Sequence, residues 1–248
     1  MSSCLIFIND KAKNIDEILL NKDWTFNSMF NNIYSITVNS KEIGYIAKTY
    51  NNKEDAIRES VNLNKLKRLG GKGVPQILGS GISDDFSFII ISKAPGKCLH
   101  NFIFTHEFDE KTFKPVIKSL LEILENIHLS GVIHRDIKPE NIMYDEDSGQ
   151  VTIIDFEERS TDGFLSPEQL MDEDLTDKTD MWSLGITIYN MITKELPFRS
   201  EKEIKNKKIT FPSHWSSDFQ DFMSCLLDKE ALLRYDATDA LAHPYLTS

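Results

Sequence analysis

The spacing of apolar residues along this chain changes once, and that change limits the fold more than any single residue does. Up to about residue 91 the apolar positions alternate or fall in short blocks: Ile33, Tyr34, Ile36 and Val38, then Ile43 to Ala47, then Phe86–Ile91. Such runs read as strands, and Trp24 to Tyr50 as two hairpins. One helix interrupts them. Ala56, Ile57, Val61, Leu63, Leu66 and Leu69 lie near 3.6-residue spacing over 54–69, and Gly70-Gly71 ends the run. Pro95-Gly96 breaks the last strand, and helical spacing takes over in Phe113–Leu129, Met181–Ile192, Phe219–Leu227 and Thr238–Ala242. A β-rich first third before a helical remainder predicts an α+β fold in two lobes, with a cleft near residues 91–97. Residues 1–22 hold the short apolar run Leu5–Ile8 among Lys, Asn and Asp, and read either as an extra strand or as a loosely tied end.

Composition narrows the partners. With 248 residues and 40% hydrophobic content, the chain can bury the core of one two-lobed domain. A net charge of -11 argues against nucleic acid, whose phosphates need a basic surface, and reads as solubility. Cys4, Cys98 and Cys225 have no CxxC spacing, which suits a reducing compartment, the cytoplasm or nucleus. Leu5–Ile8 is too short for a signal segment or a membrane span, so no membrane partner is expected.

The chemistry concentrates in His134-Arg135-Asp136-Ile137-Lys138-Pro139-Glu140-Asn141. A proton acceptor (Asp136), a cation (Lys138) and a metal-ligand amide (Asn141) lie within eight residues. Phosphoryl transfer needs these parts close together, because its catalysis is mostly positioning plus charge neutralisation. The string resembles the catalytic loop of eukaryotic-type protein kinases of the Ser/Thr branch. That resemblance implies a bilobal protein kinase-like fold: an extension at 1–23, then a kinase domain over 24–248. Within it lie a β-rich N-lobe with one main helix (24–91), a hinge (92–97) and a helical C-lobe (98–248). It also implies ATP and Mg2+ as cofactors, a protein as substrate, and a monomer by default.

Residue roles follow from the resemblance. Asp136 accepts or orients the substrate hydroxyl proton, Lys138 offsets charge at the transferred phosphate, and Asn141 binds magnesium together with Asp155 of Asp155-Phe156-Glu157. Lys48, in Tyr45-Ile46-Ala47-Lys48, resembles the strand lysine that holds the α and β phosphates; taken alone it is also an ordinary edge-strand lysine. Glu59 matches the helix glutamate that orients this lysine, with Glu54 as the rival and a solvated helix face as the plain alternative. Ser92, Lys93 and Ala94 offer backbone groups to adenine. Ala47 and Met143 are its candidate walls, although core packing explains either equally well. Glu140 faces substrate or solvent. Asp180, in Asp180-Met181-Trp182-Ser183-Leu184-Gly185, matches an aspartate that braces the catalytic loop. Arg234 is expected to pair with Glu168 of Ser166-Pro167-Glu168, and Thr161 to bond Asp136 and Lys138. His243 reads as structural.

Three departures from the family pattern stand out. Aligned back from Lys48, the phosphate-covering loop is Asn27-Ser28-Met29-Phe30-Asn31-Asn32-Ile33-Tyr34, without a glycine. Asn27 and Asn32 are expected to stand in, since asparagine tolerates positive φ, and weaker nucleotide binding follows. Glu157 replaces a glycine, restricting the segment and adding an anion near the metal site. Between Asp155 and Glu168 lie only twelve residues, too few for a regulatory loop. Glu157 or Glu158 is expected to give Arg135 a built-in anion in place of a phosphate. The leading reading is an active Ser/Thr protein kinase that needs no activation-loop phosphorylation. The second is a pseudokinase scaffold or binding module with weak nucleotide binding. A small-molecule phosphotransferase is disfavoured by Lys138, the Pro-Glu pair and the Asp180 motif.

Overall fold

The computed structural model describes residues 5–8, 11–14, 24–38, 40–68, 70–82, 87–157 and 160–247. The chain divides into two compact units, Met1–Ala94 with Asp155–Glu157, and Pro95–Ile154 with Glu158–Ser248. No helix of the described residues is long and apolar enough to cross a membrane.

Among the described residues, the first unit is an antiparallel sheet of seven strands and a helix. The strands are β1 (Leu5–Ile8), β2 (Lys11–Asn14), β3 (Trp24–Phe30), β4 (Ile33–Val38), β5 (Lys41–Tyr50), β6 (Ile77–Gly81) and β7 (Ser87–Ser92), in the order β2-β1-β6-β7-β5-β4-β3. The β1–β2 hairpin joins the sheet by pairing Ile6 with Gly81, so part of the N-terminal extension is strand. β7 lies between β6 and β5 and is buried from Ser87 to Ile91, which explains its unbroken apolar run. Ile36, Ala47, Phe88 and Ile90 form one buried cluster, with Phe26, Tyr34, Ile43, Tyr45 and Leu78 packed against it.

Helix α1 (Lys53–Arg68) contacts β5, β6 and β7. Its buried positions, Ala56, Glu59, Ser60, Asn62, Leu63 and Leu66, recur at helical spacing. Glu54 and Asp55 occupy its first turn and Lys65, Lys67 and Arg68 its last, the charge order that the helix dipole favours. Ile57 and Val61, which share in the sequence periodicity, are exposed. Leu69 and Phe86 lie outside the described residues.

The second unit is mainly helical: α2 (Lys114–Leu129), α3 (Pro167–Leu170), α4 (Asp177–Thr193), α5 (Glu201–Asn206), α6 (Ser217–Leu226), α7 (Ala237–Leu241) and α8 (Pro244–Thr247). A small antiparallel sheet, β8 (Lys97–Cys98), β9 (Ile142–Asp145) and β10 (Gln150–Ile153), completes it. α2 buries Val116, Ile117, Leu120, Leu121, Ile123, Leu124 and Ile127, the stripe its spacing predicts. α4 is buried almost all round, from Thr179 to Ile188. Gly185 permits this, because a Cβ there would meet the Leu227 side chain at 2.8 Å. The elements missed from sequence are short. β6 carries two glycines, β8 has two residues, and α3 and α8 have four each, too few to display a period.

Candidate active site

Each unit gathers its own set of candidate residues. In the first, β5 carries Lys48 and α1 carries Glu59. Lys48 Nζ stands 2.8 Å from Glu59 Oε2, 2.7 Å from Asp155 Oδ1 and 2.7 Å from Glu157 Oε1. Tyr50 donates its hydroxyl to Glu59 Oε2 at 2.7 Å, and the Phe156 N–H donates to Glu59 Oε1 at 3.4 Å. Burial alone would lower the Lys48 pKa, but the charges of Glu59, Asp155 and Glu157 outweigh it and hold the ammonium charged. Burial pushes Glu59 up against the pull of Lys48, and burial beside Glu59 keeps Tyr50 protonated as a donor. Glu54, the rival partner, is exposed. Tyr50 was missed from sequence, although alternation along β5 places it on the same face as Lys48 two residues earlier.

The second unit holds the eight-residue loop. Asp180, buried on α4, accepts the His134 N–H on Oδ2 (2.8 Å) and the Arg135 N–H on Oδ1 (2.7 Å), and His128 Nε2 lies 2.9 Å from Oδ2. Burial would raise the Asp180 carboxyl; the bonds from His128 and His134 overcome it and hold it below the usual range. The His134 Nδ1 accepts the Asp136 N–H at 3.3 Å, so its Nε2 is the donor to the Ile154 carbonyl at 3.0 Å. Arg135 sits at φ 69°, a conformation arginine seldom adopts, with its N–H fixed by Asp180 and its carbonyl accepting from Gln169. Nothing in the spacing of the sequence pointed to His128 or Gln169.

These braces lead to the end of the loop that carries Asp136. Asp136 Oδ2 accepts from Lys138 Nζ at 2.7 Å and from Asn141 Nδ2 at 3.0 Å, and Asn141 also donates to the Asp136 carbonyl at 2.9 Å. Lys138 donates to Thr161 Oγ1 at 2.5 Å as well. Asp136 Oδ1 is buried and accepts no hydrogen bond among the described residues. The carboxylate therefore has one oxygen locked by two donors and one left to take a proton or orient a hydroxyl.

The remaining candidates have structural settings. Ala47 is buried opposite Ile90, and Met143 on β9 pairs with Thr152 and Cys98. Ser92 ends β7, its N–H bonded to the Gln76 carbonyl and its Oγ accepting the Gln76 N–H. Ala94 is the last residue of the first unit's longer segment. The expectation for Asn27 and Asn32 is corrected. Neither has positive φ: Asn27 is a strand residue opposite Ser35, and the left-handed residue is Asn31, at φ 42°, first of the two turn residues between β3 and β4. Asn32 instead donates its side-chain amide to the Thr49 carbonyl at 2.6 Å. Asp155 has φ 72°, a region aspartate tolerates better than most residues. The Glu157 carboxylate lies on Lys48, and Glu158 is outside the described residues.

Behind the loop, Arg234 grips Glu168 with two bonds, Nη1 to Oε1 at 2.7 Å and Nη2 to Oε2 at 3.0 Å. Ser166 and Gln169 form a capping box at the start of α3. His243 is buried and its Nδ1 accepts the Tyr245 N–H.

Comparison with known proteins identifies the family. The family model described as "Protein kinase domain" matches residues 28–246. The chain is 33% identical over 211 residues to serine/threonine-protein kinase cds1 of Schizosaccharomyces pombe, covering 73% of this chain and 46% of that protein. It is 28% identical over 226 residues to a calcium/calmodulin-dependent protein kinase type 1 of Macrobrachium nipponense, covering 81% and 65% respectively. Against a serine/threonine-protein kinase PDK1 of Cryptococcus neoformans the identity is 28% over 221 residues, covering 79% and 18%. The chain thus spans less than two thirds of the length of each.

Proposed function

Because the chain belongs to the protein kinase domain family, we propose that it is a Ser/Thr protein kinase, moving the γ-phosphoryl group of ATP to a protein hydroxyl. One observation carries the reading. Asp136 has Oδ2 fixed by Lys138 and Asn141 and a buried Oδ1 without a hydrogen bond among the described residues. That oxygen orients the substrate hydroxyl and takes its proton. Lys138, held between Asp136 and Thr161, faces the charge that develops on the transferred group. Lys48, kept as an ammonium, binds the nucleotide phosphates, and Glu59 and Tyr50 hold it in place.

The donor set also suits magnesium. In the second unit the Asn141 amide commits its N–H groups to Asp136, which leaves its oxygen for a hard cation; in the first, Asp155 offers a carboxylate of its own. Magnesium, when bound, neutralises phosphate charge. A cavity of about 590 Å³ in the second unit begins one residue after Thr161, lined by Asp162, Leu165, Leu196, Phe198 and Ile204 among others. It supports a protein segment as the acceptor. The free thiols of Cys98 and Cys225 suit the cytoplasm or nucleus.

We also propose that activity needs no phosphate on the segment before Glu168. The Thr161 hydroxyl is bonded to Lys138 and the Ser160 hydroxyl to Gln169. Phosphatase-treated wild type, Thr161→Ala and Ser160→Ala should all lack a phosphate-driven gain in activity; a large gain on phosphorylation would refute this. The main test is magnesium-dependent transfer from ATP to a Ser/Thr peptide library. Asp136→Asn should lower kcat at least ~100-fold, the usual share of a general base. A pseudokinase, the alternative favoured by the anion on Lys48, would bind nucleotide yet transfer nothing.

A further inference from the structure

We propose that Glu157 is a residue of the nucleotide site, holding on Lys48 the position that an ATP phosphate must take. The inference rests on the reading of Lys48 as the phosphate-binding lysine. A lysine ammonium has three N–H donors. Three carboxylate oxygens lie at 2.7–2.8 Å from Lys48 Nζ, one each from Glu59, Asp155 and Glu157. The Lys48 side chain is only 9% exposed, so water does not supply further room around it. A phosphate oxygen reaches this ammonium only by replacing one of the three.

Glu59 is not the group that yields. Its carboxylate is held by the Tyr50 hydroxyl and the Phe156 N–H, which fix it as the partner that orients Lys48. Asp155 is the carboxylate assigned to magnesium, so it keeps a role when nucleotide is present. Glu157 stands where the family pattern has a glycine, a residue with no side chain to reach Lys48. One cation facing three carboxylates leaves the cluster with excess negative charge, and phosphates would enter against it. Release of Glu157 from Lys48 removes both obstacles together. Apparent nucleotide affinity is then the intrinsic affinity reduced by the fraction of molecules in which Lys48 is released. The substitution that looked like a loss of backbone freedom thus sets how strongly the site takes up ATP.

The test is isothermal titration of the whole chain with ATP, with magnesium and with a chelator. Glu157→Gln keeps the side-chain size and removes the charge; Glu157→Asp keeps the charge. We expect the Gln variant to bind ATP at least about tenfold more tightly than wild type, and the Asp variant to stay within about threefold. A merely structural role would move both variants alike. Glu157→Gly, the residue of the family pattern, provides a second charge-free variant should the Gln protein melt early, and should tighten binding too. Unchanged or weaker binding in both charge-free variants overturns the inference while leaving the kinase reading intact, as does equal tightening by Asp and Gln. If neither wild type nor the charge-free variants bind ATP under either condition, the nucleotide reading of Lys48 falls and this inference falls with it.

Discussion

Arg234→Met should be among the most damaging single changes remote from Asp136. Arg234 is 1% exposed. It bonds Glu168 at 2.7 and 3.0 Å, the Lys178 carbonyl at 2.7 Å and the Asp228 carbonyl at 2.8 Å, and its guanidinium carbon lies 5.2 Å from the Trp182 ring centre. Methionine preserves part of the volume and removes the guanidinium, leaving a buried carboxylate without its cation, with the Thr179 hydroxyl still donating to Oε1 at 3.1 Å. Breaking a buried pair from one side costs ~3–5 kcal/mol. At ~2–4 °C per kcal/mol for a chain of this length, the melting temperature should fall by ~6–20 °C. The companion is Glu168→Leu with Arg234→Met. It removes both charges and should be more stable than Arg234→Met alone, although the two carbonyls lose their donor. Thermal and urea unfolding of wild type, both singles and the double complete the cycle. A loss below ~1 kcal/mol for Arg234→Met, or a double equal to the sum of the singles, would refute the reasoning.

Acidity probes the same pair. Burial would raise the Glu168 carboxyl, but the Arg234 bonds and charge outweigh it and hold it below the usual range. A depressed carboxyl stabilises the fold fully above its unfolded value, about 4.3, and loses that contribution as pH falls through the folded value. The stability gap between wild type and Glu168→Gln should therefore be full at pH 7 and close below about pH 4; a gap that does not shrink in acid would count against the pairing. Thr161→Val should lower kcat about tenfold by freeing Lys138, with the KM for ATP unchanged; steady-state kinetics at fixed peptide checks it. Gly96→Ala should be poorly tolerated, because Gly96 has φ 78° and a Cβ would fall 2.1 Å from the Tyr144 carbonyl oxygen. A wild-type melting curve for that variant would show that the β8–β9 approach can relax.

Much of this arrangement was legible in the sequence because charged chemistry sits at short, fixed spacings. Lys138 and Asn141 converge on Asp136 from within one eight-residue string, and Lys48 and Glu59 lie on an adjacent strand and helix. The apolar stripe of α2 located that helix to within one residue, whereas the run Met181–Ile192 missed the first turn of α4, which starts at Asp177 with polar residues. What failed depended on contacts no local pattern encodes. The left-handed turn residue is Asn31, because the tip of the β3–β4 hairpin sets it and the choice of which asparagine is best tolerated does not. His128 lies on a helix but points its ring at Asp180, fifty-two positions away in sequence. Glu157 could be flagged as a foreign residue, yet only three dimensions reveal that Lys48 is its partner.

Asp180 ties the chemistry to the interior of the second unit. Its carboxylate is fully buried and holds the amides of His134 and Arg135. Those two protons exchange with solvent when Asp180 releases them, and Asp180 is carried by the buried helix α4. The amides of His134 and Arg135 should therefore be among the slowest of this loop to exchange. A lesion in α4 that shifts Asp180 then reaches the loop carrying Asp136 through these two bonds and through the Thr187 hydroxyl, which donates to the Ile137 carbonyl at 3.2 Å.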